Sequence, residues 1–199
     1  MKRGIYIYFV VMMIVFAASG CKKTQNTEEL EVIHPEASRI RITDIELLIE
    51  KSDLILIGEY TQETEQYFLD EEKESVMSMN RIEARKVLKG DCTEKGIKVE
   101  QRYGVIEENG KQFLYTISEM TPMVKGEQWI FFLAYDEQKD NFMCVGDYQG
   151  RYPIPSQEVL DICNGTKEMN AELFGVYDGT LINIELYEEI MERFQLGGV

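Results

Sequence analysis

The chain of 199 residues holds one histidine, His34. That scarcity removes most side-chain nucleophilic catalysis, because serine and cysteine nucleophiles usually rely on a histidine base. Cysteine is also sparse: Cys21, Cys92, Cys144 and Cys163, with no Cys-x-x-Cys pair. A Cys/His zinc centre is therefore not expected. The G-x-S-x-G elbow, the phosphate-cradling loop and the dinucleotide fingerprint are all missing. Two carboxylate pairs, Asp136 with Asp140 and Glu107 with Glu108, have the residue types of glycosidase chemistry. With 36 acidic residues in the chain, however, such pairs arise by chance. The expectation is a non-enzymatic protein without cofactor or metal centre. Basic charge is scarce as well, 21 Lys and Arg for a net charge of −15. With no basic stripe, nucleic acid is not an expected partner.

Long apolar runs are missing except near the start. Lys2 and Arg3 precede an uncharged run from Ile5 to Ala18. This is shorter than the roughly 20 residues that span a bilayer, and it has the charged, apolar and small-residue regions of a secretory signal. The exit, Ala18-Ser19-Gly20-Cys21, resembles the lipobox of bacterial lipoproteins, with Ala18 where leucine is commoner. The resemblance implies removal of residues 1–20, lipidation of Cys21, and a location on the outer face of the cytoplasmic membrane of a Gram-positive cell. Loss of Lys2 and Arg3 takes the net charge from −15 to −17. The acyl chains, not electrostatics, would then hold the protein to anionic lipid. Residues 21–38 are polar and read as a disordered tether, with His34 solvated.

The remainder is strand-rich. "TDIELLIEK" (43–51) predicts a short helix with a Thr43/Glu46 capping box. "LILI" followed by Gly58 predicts a buried strand that bends at the glycine. Residues 63–74 carry Glu63, Glu65, Asp70, Glu71, Glu72 and Glu74, which predicts a solvated acidic loop. Residues 76–89 predict a long, bent strand ending at Lys89-Gly90. Ile97 and Val99 alternate with charges in the next strand, and Asn109-Gly110 predicts a hairpin. Residues 124–137, with the only tryptophan, Trp129, form the most apolar part of the region, and Lys125-Gly126 opens them. The spacing of turns predicts a small barrel or sandwich of five to seven strands. After Pro155 come a helical turn ending at Asn164-Gly165, an Asp178-Gly179 hairpin turn, and an amphipathic helix. On that helix Leu186, Tyr187, Ile190, Met191 and Phe194 recur at helical spacing.

Taken in order, "SDLILIGEY", "RKVLKGD", "GIKVEQR" and "VKGEQWIFFLAYDEQKDNFMCVGDY" resemble the barrel of the tissue inhibitors of metalloproteinases and the wider netrin-like group, and lipoproteins that share it. The resemblance covers residues 44–155. It implies a mainly β fold with flanking helices: a five-stranded OB-fold-like Greek-key barrel over 39–155 and a C-terminal α/β extension over 156–199. The inhibitors' zinc-chelating terminal cysteine is not carried over, because Cys21 would bear lipid far from the barrel. OB-folds bind across their second and third strands, which places candidate contacts at Tyr103, Glu107 and Asn109. The expected function is a membrane-anchored module that binds a protein or cell-wall partner. The alternatives are metal or solute capture by the 63–74 loop, and an accessory scaffold of an envelope complex.

Overall fold

The computed structural model describes residues 30–35, 41–71, 75–117 and 119–196. The expected signal peptide, Cys21, the first part of the tether, and Glu72 and Glu74 lie outside the described residues. Among the described residues the fold is mainly β, with two sheets and three short α-helices. The strands are β1 (Glu31–Ile33), β2 (Leu54–Phe68), β3 (Val76–Lys89), β4 (Gly96–Gln101), β5 (Tyr103–Glu108), β6 (Lys111–Thr116), β7 (Gln128–Asp136), β8 (Asn141–Cys144) and β9 (Arg151–Pro153). The helices are α1 (Ile45–Lys51), α2 (Gln157–Cys163) and α3 (Ile184–Arg193). One sheet runs β1-β6-β5; the other runs β2-β3-β4-β8-β7-β9, with β2 also pairing to β7.

The apolar runs of β2 and β7 explain the layering. These strands pair antiparallel, Leu54 opposite Leu133 through Glu59 opposite Gln128. Leu54, Leu56, Phe131 and Leu133 point to one cluster, together with Ile82, Ile97, Val99 and Trp129. Ile55, Ile130 and Phe132 point the other way, into a cluster with Leu48 of α1 and Leu186, Tyr187 and Ile190 of α3. A strand buried on both faces needs a continuous apolar run rather than alternation, and each such residue contributes about 1.5–3 kcal/mol by leaving water. The C-terminal segment therefore shares its core with the strands: Phe194 meets Phe132 edge-on at 5.8 Å between ring centroids.

Local chemistry fixes the corners. Gly58 does not end β2; it is paired to both Ala84 and Trp129. A Cβ there would lie 2.3 Å from Ile82 Cγ2, so the glycine admits the facing side chain. The β2–β3 ladder is interrupted by register shifts, one of them at Ile57/Gly58 itself and another between Tyr60 and Thr64, where Gln62 has φ 73°. Gly90 has φ +78°, and a Cβ there would lie 2.3 Å from the Asp53 carbonyl. The preceding Lys89 donates through Nζ to the carbonyls of Ile49 (2.7 Å) and Ser52 (2.6 Å), closing the C-terminal end of α1.

Several expectations need correction. The N-cap of α1 is Asp44, accepting from Glu46 N at 2.8 Å, not Thr43. Asp178-Gly179 opens a 3₁₀ turn, Gly179–Leu181, with the Asp178 carboxylate accepting from Thr180 N; it joins no strands. Residues 31–33 are not tether but strand, paired parallel to β6, because Leu30 and Val32 pack on the cluster around Tyr103, Leu114 and Met120. His34 is held too, with Nδ1 2.6 Å from Glu119 Oε2 and its ring edge-on to Tyr177. Cys92, Cys144 and Cys163 are free thiols. Asn109 and Gly110 have φ 53° and 77°, so the expected β5–β6 hairpin closes on a mirror-type turn.

Arg151 is the least expected core residue, only 1% exposed. Its Nη2 donates to the carbonyls of Thr121 and Gly175, both at 2.9 Å, and its guanidinium lies 4.5 Å from the Trp129 ring centroid. It joins β9 and β7 to the segments around 121 and 175. Arg151→Lys keeps the charge but loses the fork and the planar stacking. We expect a loss of about 2–3 kcal/mol in urea unfolding, with a shifted Trp129 emission in the folded state.

Burial pushes the Tyr103 hydroxyl up to about 12, from about 10 in an unfolded chain. The folded state thus holds this proton more tightly, so stability is complete below about pH 10 and falls as pH rises through 10 to 12. The urea midpoint is expected to drop between pH 8 and pH 11, and Tyr103→Phe should make that drop smaller.

Candidate functional site

The seven residues 135–141 build the most distinctive local structure. Asp136 Oδ1 accepts from Gln138 N (2.9 Å) and Lys139 N (3.3 Å), which folds the turn between β7 and β8. Asp140, at φ 52°, accepts from the Tyr135 hydroxyl at 2.6 Å. That hydrogen bond raises the Tyr135 pKa, with lesser contributions from desolvation and neighbouring charge. Asp136 and Asp140, the pair with glycosidase residue types, are thus used as turn and tyrosine anchors.

The turn throws Lys139 back over the sheet. Its Nζ donates to both Glu100 carboxylate oxygens, at 3.0 and 2.9 Å. Glu100 on β4 is 4% exposed and also accepts from Asn141 Nδ2 (3.2 Å) and from the Tyr67 hydroxyl. Burial, then the Glu100 carboxylate, raise the Tyr67 pKa. A buried carboxylate with three donors is a satisfied charge. Asn141, itself 2% exposed, gives its Nδ2 to Glu100, while its Oδ1 has no hydrogen-bond partner among the described residues.

In front of this cluster the surface opens into two cavities that share Asp91, Tyr135 and Phe142. One, about 370 Å³, extends towards Arg81, Lys98 and Asn141. The other, about 380 Å³, is completed by Asp53, Leu54 and Glu137. Together they form a cleft between the 90–95 connection and the β7–β8 turn. Tyr135 is 43% exposed and packs against Phe142 with centroids 5.2 Å apart. Asp53 holds the cleft's back edge, its Oδ2 accepting from Tyr135 N at 2.8 Å. No three acidic, cysteine or histidine side chains among the described residues come close enough to hold a metal ion.

The residues singled out from the sequence fall elsewhere. Tyr103 is buried, its hydroxyl donating to Asn80 Oδ1 at 3.0 Å inside a polar core that includes Gln101 and Thr64. Glu107 and Asn109 are exposed at the β5–β6 hairpin tip. The three do not converge. Of the expected acidic loop, Glu63 and Glu65 belong to β2, and Glu63 lies 3.6 Å from Arg81. The cleft was hidden because its walls come from positions 53–54, 81, 91–98 and 135–142; the local signal was the run of turn-forming acids around an exposed tyrosine. No protein family, characterised protein or solved structure matches the chain.

Lys139 is half exposed, so its pair with Glu100 is partly screened. Lys139→Ala is expected to cost about 1–2 kcal/mol in urea unfolding, chiefly by leaving the buried carboxylate short of a donor. Adding Glu100→Gln should recover part of the loss, a non-additivity that a double-mutant cycle measures.

Proposed function

We propose that the protein is a lipid-anchored envelope module that binds a protein or cell-wall partner through an OB-fold-like barrel, without catalysis. The strand pairings support the barrel. They follow the cycle β2-β3-β4-β8-β7-β2, antiparallel throughout except for the parallel joint at Val99 with Phe142 and Glu100 with Met143. That is the order of a five-stranded Greek-key barrel of the OB type, with β5, β6 and β1 as a side sheet and the C-terminal helices on the β2/β7 face.

One observation carries the binding reading. The open cleft lies at the turn joining the cycle's fourth and fifth strands, one of the two loops by which OB-folds engage ligands. The charged start, apolar run and Ala18-Ser19-Gly20-Cys21 exit support the anchor. Lipid at Cys21 would keep the barrel at the cell surface, where partners in the wall and neighbouring membrane proteins are within reach.

Replacing Cys21 with Ala in the full chain tests the anchor. The variant should accumulate unprocessed or leave the membrane fraction, and should take up no labelled palmitate. A Cys21→Ala chain that fractionates and labels like the natural one overturns the lipoprotein reading.

A further inference from the structure

Within the cleft, the cavity of about 380 Å³ stands out by its lining: Asp53, Leu54, Asp91, Tyr135, Glu137 and Phe142. Three carboxylates meet two aromatic rings and one aliphatic side chain, with no cation in the wall. Asp91 and Glu137 form no hydrogen bond or ion pair among the described residues, unlike the carboxylates of Glu59, Glu100 and Asp147. The charge is spread along the wall, because no three such groups converge on a metal-sized point. Spread negative charge beside an exposed tyrosine suits an organic cation with an apolar stem.

A second observation narrows the class. The adjoining cavity shares Asp91, Tyr135 and Phe142, and Asn141 forms part of its wall. Asn141 is 2% exposed, and its Oδ1 has no donor among the described residues. An unused buried acceptor calls for a donor. A polypeptide brings both groups at once, a cationic side-chain end and neutral backbone N–H donors beside it. A polyamine brings only cations.

We propose that this pocket receives a lysine or arginine side chain of a polypeptide partner, with the adjoining cavity taking the neighbouring backbone. The proposal rests on the reading of the protein as an envelope-binding module and names the chemistry of what it binds. Arg81 and Lys98 line the adjoining cavity but not this pocket, which sets the polarity: the basic side chain enters at the Asp53–Glu137 end, where no described cation lines the wall.

The test uses the full-length chain in detergent and a fluorescein-labelled decapeptide of alternating Gly and Lys, read by anisotropy at 50 and 150 mM NaCl. The expected result is saturable one-site binding. Asp91→Asn with Glu137→Gln should weaken it at least tenfold. Tyr135→Ala, which leaves net charge unchanged, should weaken it severalfold. Glu107→Gln with Glu108→Gln removes the same charge at the β5–β6 hairpin tip and should change affinity less than twofold. The proposal is overturned if the hairpin pair weakens binding as much as the cleft pair, if spermidine displaces the peptide at equal charge concentration, or if no saturable binding occurs. Failure here with an intact Cys21 anchor removes this proposal alone. Peptide binding by a chain whose Cys21 proves dispensable removes the lipoprotein reading alone.

Discussion

Strands β2 and β7 bury side chains on both of their faces, and the rest of the molecule is arranged around that constraint. On one face, Leu54, Leu56, Phe131 and Leu133 require β3, β4 and β8 to wrap round them. On the other, Ile55, Ile130 and Phe132 require a lid, which α1 and α3 supply. The C-terminal segment is thus one half of a core that the strands cannot close alone. Lys89 and Arg151 follow from the same layering. Each is a long cationic side chain spent on backbone carbonyls where segments from different layers meet. A carbonyl left unpaired at such a junction costs more than an ordinary hydrogen bond contributes.

The polar interior has a different logic. Asn80, Gln101, Thr64 and Tyr103 lie where β2, β3 and β4 run towards the side sheet, and they bond mainly to one another. Glu100, Tyr67, Lys139 and Asn141 form a second group nearer the surface. Hydrogen-bonded interiors accept few alternative packings, because each displaced group loses its partner. The β7–β8 turn is therefore pinned from behind by Lys139 and from the side by Asp140, and the exposed Tyr135 is presented on a rigid support. Rigid presentation lowers the ordering cost of binding.

Much of the fold was legible in the residues. The limits of β3, the Asn109-Gly110 hairpin, the apolar stripe of α3 and the doubly buried runs all carry local patterns whose period or turn chemistry has one reading. The missed features depend on distant partners. β1 is three residues long and becomes a strand only because β6 offers an edge. The acidic 63–68 segment reads as loop by composition, yet the β3 edge extends it as strand. Arg151 carries the sequence signature of a surface residue, and only the convergence of Trp129, Thr121 and Gly175 makes its burial tolerable. The candidate contacts at Tyr103, Glu107 and Asn109 followed from fold analogy, and the structure turns Tyr103 inward. The cleft draws on four stretches, at 53–54, 81, 91–98 and 135–142, whose meeting no local pattern announces.

The seating of β1 sets a length. With Cys21 as the lipid-bearing residue proposed above, the chain has nine peptide links before Leu30 joins the packed side sheet. Fully extended, that leash reaches about 30 Å, little more than half of what a free segment ending at Ser38 would allow. On that proposal, a partner would be met close to the bilayer, and the β-rich domain would patrol a shallow layer at the membrane instead of reaching far from it.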